Sequence, residues 1–301
     1  PRVLATAVLG FLAGWFGVGW LIGLTLFVQM LGTALFVWGA MIEPFRLSMS
    51  QITVTTDRLP AGAAPIRLLH ISDIHVERLT RREDKLLELA AAAQPDLIVI
   101  TGDYVNLSYN RDLKTHAQVK ELLGKLSAPH GVYATLGSPP VDLREAVVPI
   151  FEGLPVQLLR DVWRRVELGD GRALTLLGMN CTHHLPEDGD QLAQLVKVAP
   201  NDAPQVLLYH SPELMPQAAA HGVDLYVCGH THGGQVRLPF IGPLLTSSQL
   251  GRKYVMGLYV DGRTHLYVSR GVGLEGLSAP RVRLLAPPEI TLVTLQGKSD
   301  D

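Results

Sequence analysis

Histidine and aspartate recur in this chain at spacings that suit metal ions. The sharpest stretch is Gly229-His230-Thr231-His232-Gly233-Gly234-Gln235, which follows an apolar run over 224–228. Two imidazoles at i and i+2 past a strand end can both enter one cleft if the backbone leaves strand geometry. The glycines around them permit that. Imidazole is the commonest metal ligand in proteins. Alone, the pair also suits two turn histidines facing water. The partners upstream tip the balance, because Asp73 with His75, Asp103, and His210 each close another apolar run. Asp and His together suit Mn, Fe, Zn or Co rather than Ca, which prefers oxygen alone. Six ligands are too many for one zinc, and Asp103 could bridge. Two cations about 3.5–4 Å apart would activate a water and neutralise an incoming phosphate.

The elements that must position these groups follow from the hydrophobic pattern. Runs at 66–71, 96–101 and 131–136 read as buried strands, with helical periodicity over 81–93 and 115–126 between them. That alternation argues for right-handed crossovers and a largely parallel sheet. Residues 47–55 alternate like an edge strand. The second half is richer in strand, at 173–179, 205–209 and 224–227, with helices over 190–198 and 212–220. Asp261-Gly262 between runs at 254–260 and 264–269 signals a hairpin, and 289–295 is a last strand. Strand ends in an open α/β sheet converge on one crevice. The predicted architecture is an α/β fold of two sheets packed as a sandwich and flanked by helices.

The chain has 301 residues and a net charge of -2, so nothing points to a nucleic-acid partner. Residues 3–42 hold no charged side chain. One membrane span needs about 20 apolar residues, so the stretch fits a transmembrane helical hairpin over 1–43, with Trp15, Trp20 and Trp38 suited to an interfacial belt. A link with an edge strand over 44–65, a catalytic domain over 66–296 and a polar tail over 297–301 would follow. The expected location is the cell membrane, with membrane lipid as a neighbour. Arg2 and Arg46 lean the orientation toward a cytoplasmic domain. Cys181 and Cys228 read as buried free thiols, because two cysteines make no disulfide framework.

Asp73-Ile74-His75, Gly102-Asp103, His210 and Gly229-His230-Thr231-His232, in that order, make the chain resemble the calcineurin-like metallophosphoesterases over roughly 66–295. Gly233-Gly234-Gln235, Ser269-Arg270-Gly271 and Pro287-Pro288-Glu289-Ile290 resemble its membrane-anchored bacterial branch. The resemblance implies a hydrolase with two divalent metal ions (Mn, Fe or Zn) acting on a phosphoester or pyrophosphate. Some members of that branch resemble UDP-2,3-diacylglucosamine hydrolases of lipid A synthesis, and others resemble phosphodiesterases acting at the cell envelope. It also implies that Asp73, His75, Asp103 and His232 hold one metal, and Asp103, His210 and His230 the other.

One segment departs. The family ends its third strand in Gly-Asn-His, the Asn being a metal ligand and the His a general acid. Here the residues are Gly137-Ser138-Pro139. Ser138 is a short ligand, and Pro139 cannot transfer a proton. Losing a general acid costs about 10²–10⁴-fold. A silent, metal-binding membrane protein is therefore the alternative. The candidates for the missing role are Ser138, His183 (or its neighbour His184) and Arg270; loop histidines facing water are the plainer account of 183 and 184. Arg237 and Arg270 suit either a phosphate or a structural ion pair. His70 suits the core. His116, His130, His221 and His265 suit the surface. Arg81 and Arg82 suit a solvated helix start, or anionic lipid.

Overall fold

A computed structural model of the protein describes residues 2–275 and 281–298. The strands are β1 (Ser48–Thr56), β2 (Ile66–Ile71), β3 (Leu97–Thr101), β4 (Val132–Thr135), β5 (Val156–Leu158), β6 (Val162–Gly169), β7 (Arg172–Gly178), β8 (Gln205–Leu208), β9 (Leu225–Cys228), β10 (Arg237–Leu238), β11 (Gly242–Pro243), β12 (Gly257–Asp261), β13 (Thr264–Val268) and β14 (Glu289–Gly297). The helices are α1 (Arg2–Trp15), α2 (Trp20–Val37), α3 (Arg81–Ala93), α4 (Leu113–Gly124), α5 (Arg144–Val147), α6 (Leu185–Val198) and α7 (Met215–Ala220).

The strands build two mixed six-stranded sheets, in the orders β1-β14-β2-β3-β4-β5 and β12-β13-β9-β8-β7-β6. Strands β2, β3 and β4 run parallel in the first sheet, and β7, β8 and β9 in the second, while β14 runs antiparallel to β2. Both faces of these strands are covered, which is why they read as unbroken apolar runs. Side chains alternate between two layers, as strand geometry requires. Ile66, Leu68, Leu97 and Val99 meet Leu174, Leu176, Val206 and Val227 between the sheets. Leu69, Ile71, Ile98 and Ile100 face the other way, against Leu86 of α3 and Leu122 of α4. Leu207 and Tyr226 likewise face Leu192 and Met215 on the far side.

The expected sandwich is therefore present, with differences at the edges. Helix α6 begins at Leu185 rather than at 190, because Pro186 sits in its first turn, where a missing N–H is harmless. Strand β12 begins at Gly257 rather than at 254. Edge strand β6 carries Trp163, Arg164 and Arg165 and lacks an apolar run, so the sequence pattern does not reveal it.

The apolar N-terminal stretch differs more. Among the described residues, one continuous helical segment, Trp20–Phe45 of 26 residues, is long and apolar enough to cross a membrane. Helix α1 supplies 14 residues, Arg2–Trp15, so a hairpin of two full spans over 1–43 is not shown among the described residues. Residues 299–301 of the polar tail lie outside the described residues.

The two sheets meet the cleft at the carboxyl ends of β2, β3, β4, β8 and β9. Past β2 and β3 the chains continue side by side: Asp73 N–H donates to Gly102 O at 3.0 Å and His75 N–H to Asp103 O at 3.0 Å. Gly102 has φ +87, and a Cβ there would lie 2.2 Å from the Gly137 nitrogen. That approach admits only glycine. Gly102→Ala should destabilise the protein by about 3 kcal/mol, lowering the Tm by roughly 6–12 °C. Gly62→Ala, at φ +75 in open space, should cost markedly less. Equal Tm values for the two variants in thermal unfolding would refute the packing argument.

Candidate metal centre

Five of the six predicted ligand residues hold left-handed backbone: Asp73 (φ 50), His75 (φ 44), Asp103 (φ 56), His230 (φ 69) and His232 (φ 50). Such conformations are uncommon outside glycine and concentrate at functional sites. The strain therefore sits on the polar residues themselves as well as on the glycines beside His232. Each is the second or fourth residue past a strand end, where the chain turns out of the sheet and aims a side chain into the cleft.

The six side chains form two groups. Asp73, His75 and His232 bring ligand atoms within 4.8 Å of one another, and so do Asp103, His210 and His230. His75 Nε2 lies 3.1 Å from His232 Nε2. Asp73 Oδ1 is 3.6 Å from His232 Nε2. Asp103 stands between the groups: its Oδ2 is 3.2 Å from His210 Nε2 and 3.5 Å from His75 Nε2. His210 Nδ1 donates to Thr101 O at 2.7 Å, which directs Nε2 at the cleft, where it makes no hydrogen bond of good geometry. Facing imidazole nitrogens, a buried nitrogen without a hydrogen bond and two buried carboxylates are a donor set that fits divalent cations.

The electrostatics have the same cause. Burial pushes Asp73 above its usual range, against the pull of His210 and His75. Burial would raise Asp103 too, but His210, then His75 and His230, hold it well below. Burial would lower His210, yet the Asp103 carboxylate beside it lifts the imidazole to about 10. Burial, then the charges of His210 and His183, push His230 down to about 4.

Several supporting residues are not evident from the sequence. Asp142 accepts from the backbone N–H groups of Asp103 at 2.8 Å, Gly137 at 2.7 Å and Tyr104 at 3.0 Å. Burial and the Asp103 charge push it up to about 7. Arg283 is wholly buried and donates to the carbonyls of Gly273 at 2.6 Å, Arg270 at 2.7 Å and Ala286 at 2.8 Å. Its Nη2 also lies 3.2 Å from His232 Nδ1. Neither residue stands in a ligand-like spacing; only their burial and partners reveal them. His70, in the core as expected, meets Thr101 Oγ1 at 2.8 Å, and that hydroxyl donates to Ser72 beside Asp73.

The remaining candidates divide. Ser138 N–H donates to Asp103 Oδ1 at 2.7 Å, and its hydroxyl lies 3.3 Å from His230 Nδ1 and 3.2 Å from His183 Nε2. The rings of His183 and His230 stand 4.8 Å apart. His184 is exposed and faces Glu187 at 3.3 Å. Arg270 pairs with Glu289 at 2.5 Å, and Arg237 donates to Gly233 O at 2.9 Å. Cys181 and Cys228 are free and buried. A cleft of about 290 Å³ opens on this centre, lined by His232, Gln235, Leu245 and Glu275 among others. Larger hollows near Arg111 and along α2 contain none of the six residues.

Comparison with known proteins agrees with this geometry. The profile described as calcineurin-like phosphoesterase matches residues 66–234. The chain is 30% identical over 263 residues to the metallophosphoesterase YkuE of Bacillus subtilis, covering 85% of this chain and 88% of that one. It is 29% identical over 277 residues to a metallophosphoesterase of Aquifex aeolicus, covering 86% and 95%. It is 27% identical over 241 residues to the phosphodiesterase YaeI of Escherichia coli, covering 78% and 83%.

The His210–Asp103 pair makes a prediction about pH. The raised His210 pKa gives the metal-free protein stability that is fully present below about 6.5 and is lost as pH rises through about 10. A cation at Nε2 must displace that proton. Manganese binding near neutral pH should release about one proton per chain, read by calorimetry in buffers of different ionisation enthalpy. Binding without release would rule out His210 Nε2 as a ligand atom.

Proposed function

The chain belongs to the calcineurin-like phosphoesterases, hydrolases that use two divalent metals, and from that premise we propose that it is a membrane-anchored enzyme cleaving phosphodiester or pyrophosphate bonds. Its substrate is lipid-linked or a nucleotide sugar, in the manner of UDP-2,3-diacylglucosamine. The observation that carries the reading is the position of Asp103 Oδ2, 3.2 Å from His210 Nε2 and 3.5 Å from His75 Nε2, within reach of both ligand groups.

Asp73, His75 and His232 would hold one cation and His210 and His230 the other, with Asp103 shared. When bound, such a pair supplies Lewis acidity: it offsets phosphate charge and lowers the pKa of water. The chain's own residues do the rest. Asp142 fixes Asp103 through the backbone, and Thr101 O orients His210. Pro139 stands where the family's acid would stand. His183 is the group we assign to the leaving oxygen, because its Nε2 reaches Ser138 Oγ beside His230. Burial and the nearby His210 lower its pKa. A smaller fraction is then protonated near neutral pH, which favours leaving groups that are already good, such as the phosphate of a pyrophosphate.

The anchor is the segment Trp20–Phe45, with the link 44–65 and the domain 66–296 after it. Arg46 stacks over Trp38 at 5.3 Å, a pairing that suits a membrane interface. A tether of that kind keeps the cleft near lipid-linked substrates. The phosphodiesterase name of the Escherichia coli relative supports a diester substrate.

Ser138-Pro139 also favours a second reading, a metal-binding protein without turnover. Metal content measured alongside turnover separates the two. With manganese, the detergent-solubilised chain should hydrolyse bis-p-nitrophenyl phosphate. Asp103→Asn should lower that rate by more than about 100-fold, the upper end for groups that only support a ligand. Two bound metals with no turnover would establish the silent protein. His183→Ala should slow an alkyl phosphodiester by about 10²–10⁴-fold and the p-nitrophenyl ester far less. An equal loss on both would remove His183 from the acid role.

A further inference from the structure

The short hairpin β10–β11 presents an apolar tip that the fold leaves uncovered. At its turn Phe240 is 109% exposed and Ile241 58%, and Leu245, two residues past β11, is 63% exposed. Phe240 also holds φ 63, an unfavourable backbone for an aromatic residue. Neither its exposure nor its conformation contributes to packing within the domain. Contiguous exposed apolar surface of this kind marks an interaction site.

Three contacts say what covers it. First, the hairpin borders the metal cleft, because Leu245 lines that cleft together with His232 and Gln235. Second, it is tied to the segment 281–287: Val236 bridges Leu284, and Arg237 N–H donates to Leu284 O at 2.9 Å. Third, that segment is seated on the end of the apolar helix. Arg283 N–H donates to Gly39 O at 2.8 Å, and Ala286 N–H donates to Glu43 Oε1 at 2.7 Å. Leu285, on the same segment, is exposed. The hairpin tip, the cleft mouth and the end of the anchor are therefore continuous. Basic groups border the patch: Arg252 donates to Ile241 O at 3.2 Å, and Arg237 opens the hairpin. Apolar side chains edged by Arg suit the boundary between acyl chains and anionic headgroups.

We propose that the β10–β11 hairpin inserts its Phe240–Ile241 tip into the surface of an anionic bilayer beside the anchor. The cleft that contains His232 then opens at the headgroup layer. A phosphate carried on a lipid would reach it without leaving the membrane, whereas a soluble phosphoester would enter from the water side. The inference rests on the reading of Trp20–Phe45 as a membrane anchor, and the experiment separates the two.

Cys181 and Cys228 are buried, so single added cysteines can be labelled in the full chain. An environment-sensitive fluorophore would be attached to Phe240→Cys, to Phe27→Cys on the exposed face of α2, and to Val260→Cys on exposed strand β12. Each protein is reconstituted in vesicles of phosphatidylcholine with a minority of phosphatidylglycerol. The label at 240 should shift to the blue and be quenched by a nitroxide lipid, as at 27, while the label at 260 stays accessible to aqueous iodide. Iodide quenching at 240 with lipid quenching at 27 overturns the hairpin's role and leaves the anchor standing. Iodide quenching at both positions overturns the anchor as well. A label at 240 shielded from both quenchers points to a protein partner and overturns the proposal. In a parallel assay, Phe240→Asp should lower hydrolysis of a vesicle-borne phosphodiester several-fold and leave bis-p-nitrophenyl phosphate unchanged; equal rates on the vesicle substrate count against it.

Discussion

Two carboxylates and four imidazoles crowd a volume from which water is largely excluded, and the surrounding structure is arranged to hold them there. An isolated buried charge costs several kcal/mol even after relaxation. These groups therefore need either shared protons or cations between them. The metal-free centre shows the first solution in part: His210 and Asp103 shift each other's protonation in opposite directions. Its facing nitrogens, His75 Nε2 and His232 Nε2 at 3.1 Å, are suited to the second.

Holding such a cluster requires backbone that ordinary strands cannot supply. The left-handed residues past β2, β3 and β9 are kept in place by contacts that reach across the sandwich. Gly273 N–H donates to Asp73 O at 2.6 Å and Val272 N–H to Ser72 O at 3.0 Å, so the end of the second sheet closes over the first. His230 N–H donates to Asp73 Oδ1 at 3.0 Å, again from one sheet to the other. Asp142 gathers the N–H groups of Asp103, Tyr104 and Gly137 on one carboxylate. The ligand set is thus a property of both sheets together.

Much of this was legible from residue types. Inner strands such as β3 and β9 announce themselves because both their faces are buried, and the Asp and His residues that follow break the apolar runs abruptly. Asp142 and Arg283 gave no such signal. Asp142 acts mainly through backbone groups that are distant in sequence, and Arg283, between Val282 and Leu284 and two residues from Arg281, reads as an ordinary surface arginine until the fold buries it. The proximity of His183 to Ser138 is likewise a matter of loop geometry: its ring meets the cleft only because the chain turns through φ 61 there. The N-terminal stretch was legible in part: its lack of charge pointed to long apolar helix, which α2 supplies, and the break at residues 16–19 separates it from a second apolar helix, α1.

The seam between Gly39 and Arg283 has a genetic consequence. A side chain at position 39 would meet the Arg283 carbonyl oxygen at 2.9 Å, and Arg283 reaches in turn to the imidazole of His232. The helix that looks like a mere tether ends one residue's reach from a ligand ring. An inherited change at position 39, remote from the cleft in the chain, belongs with lesions of the reaction centre.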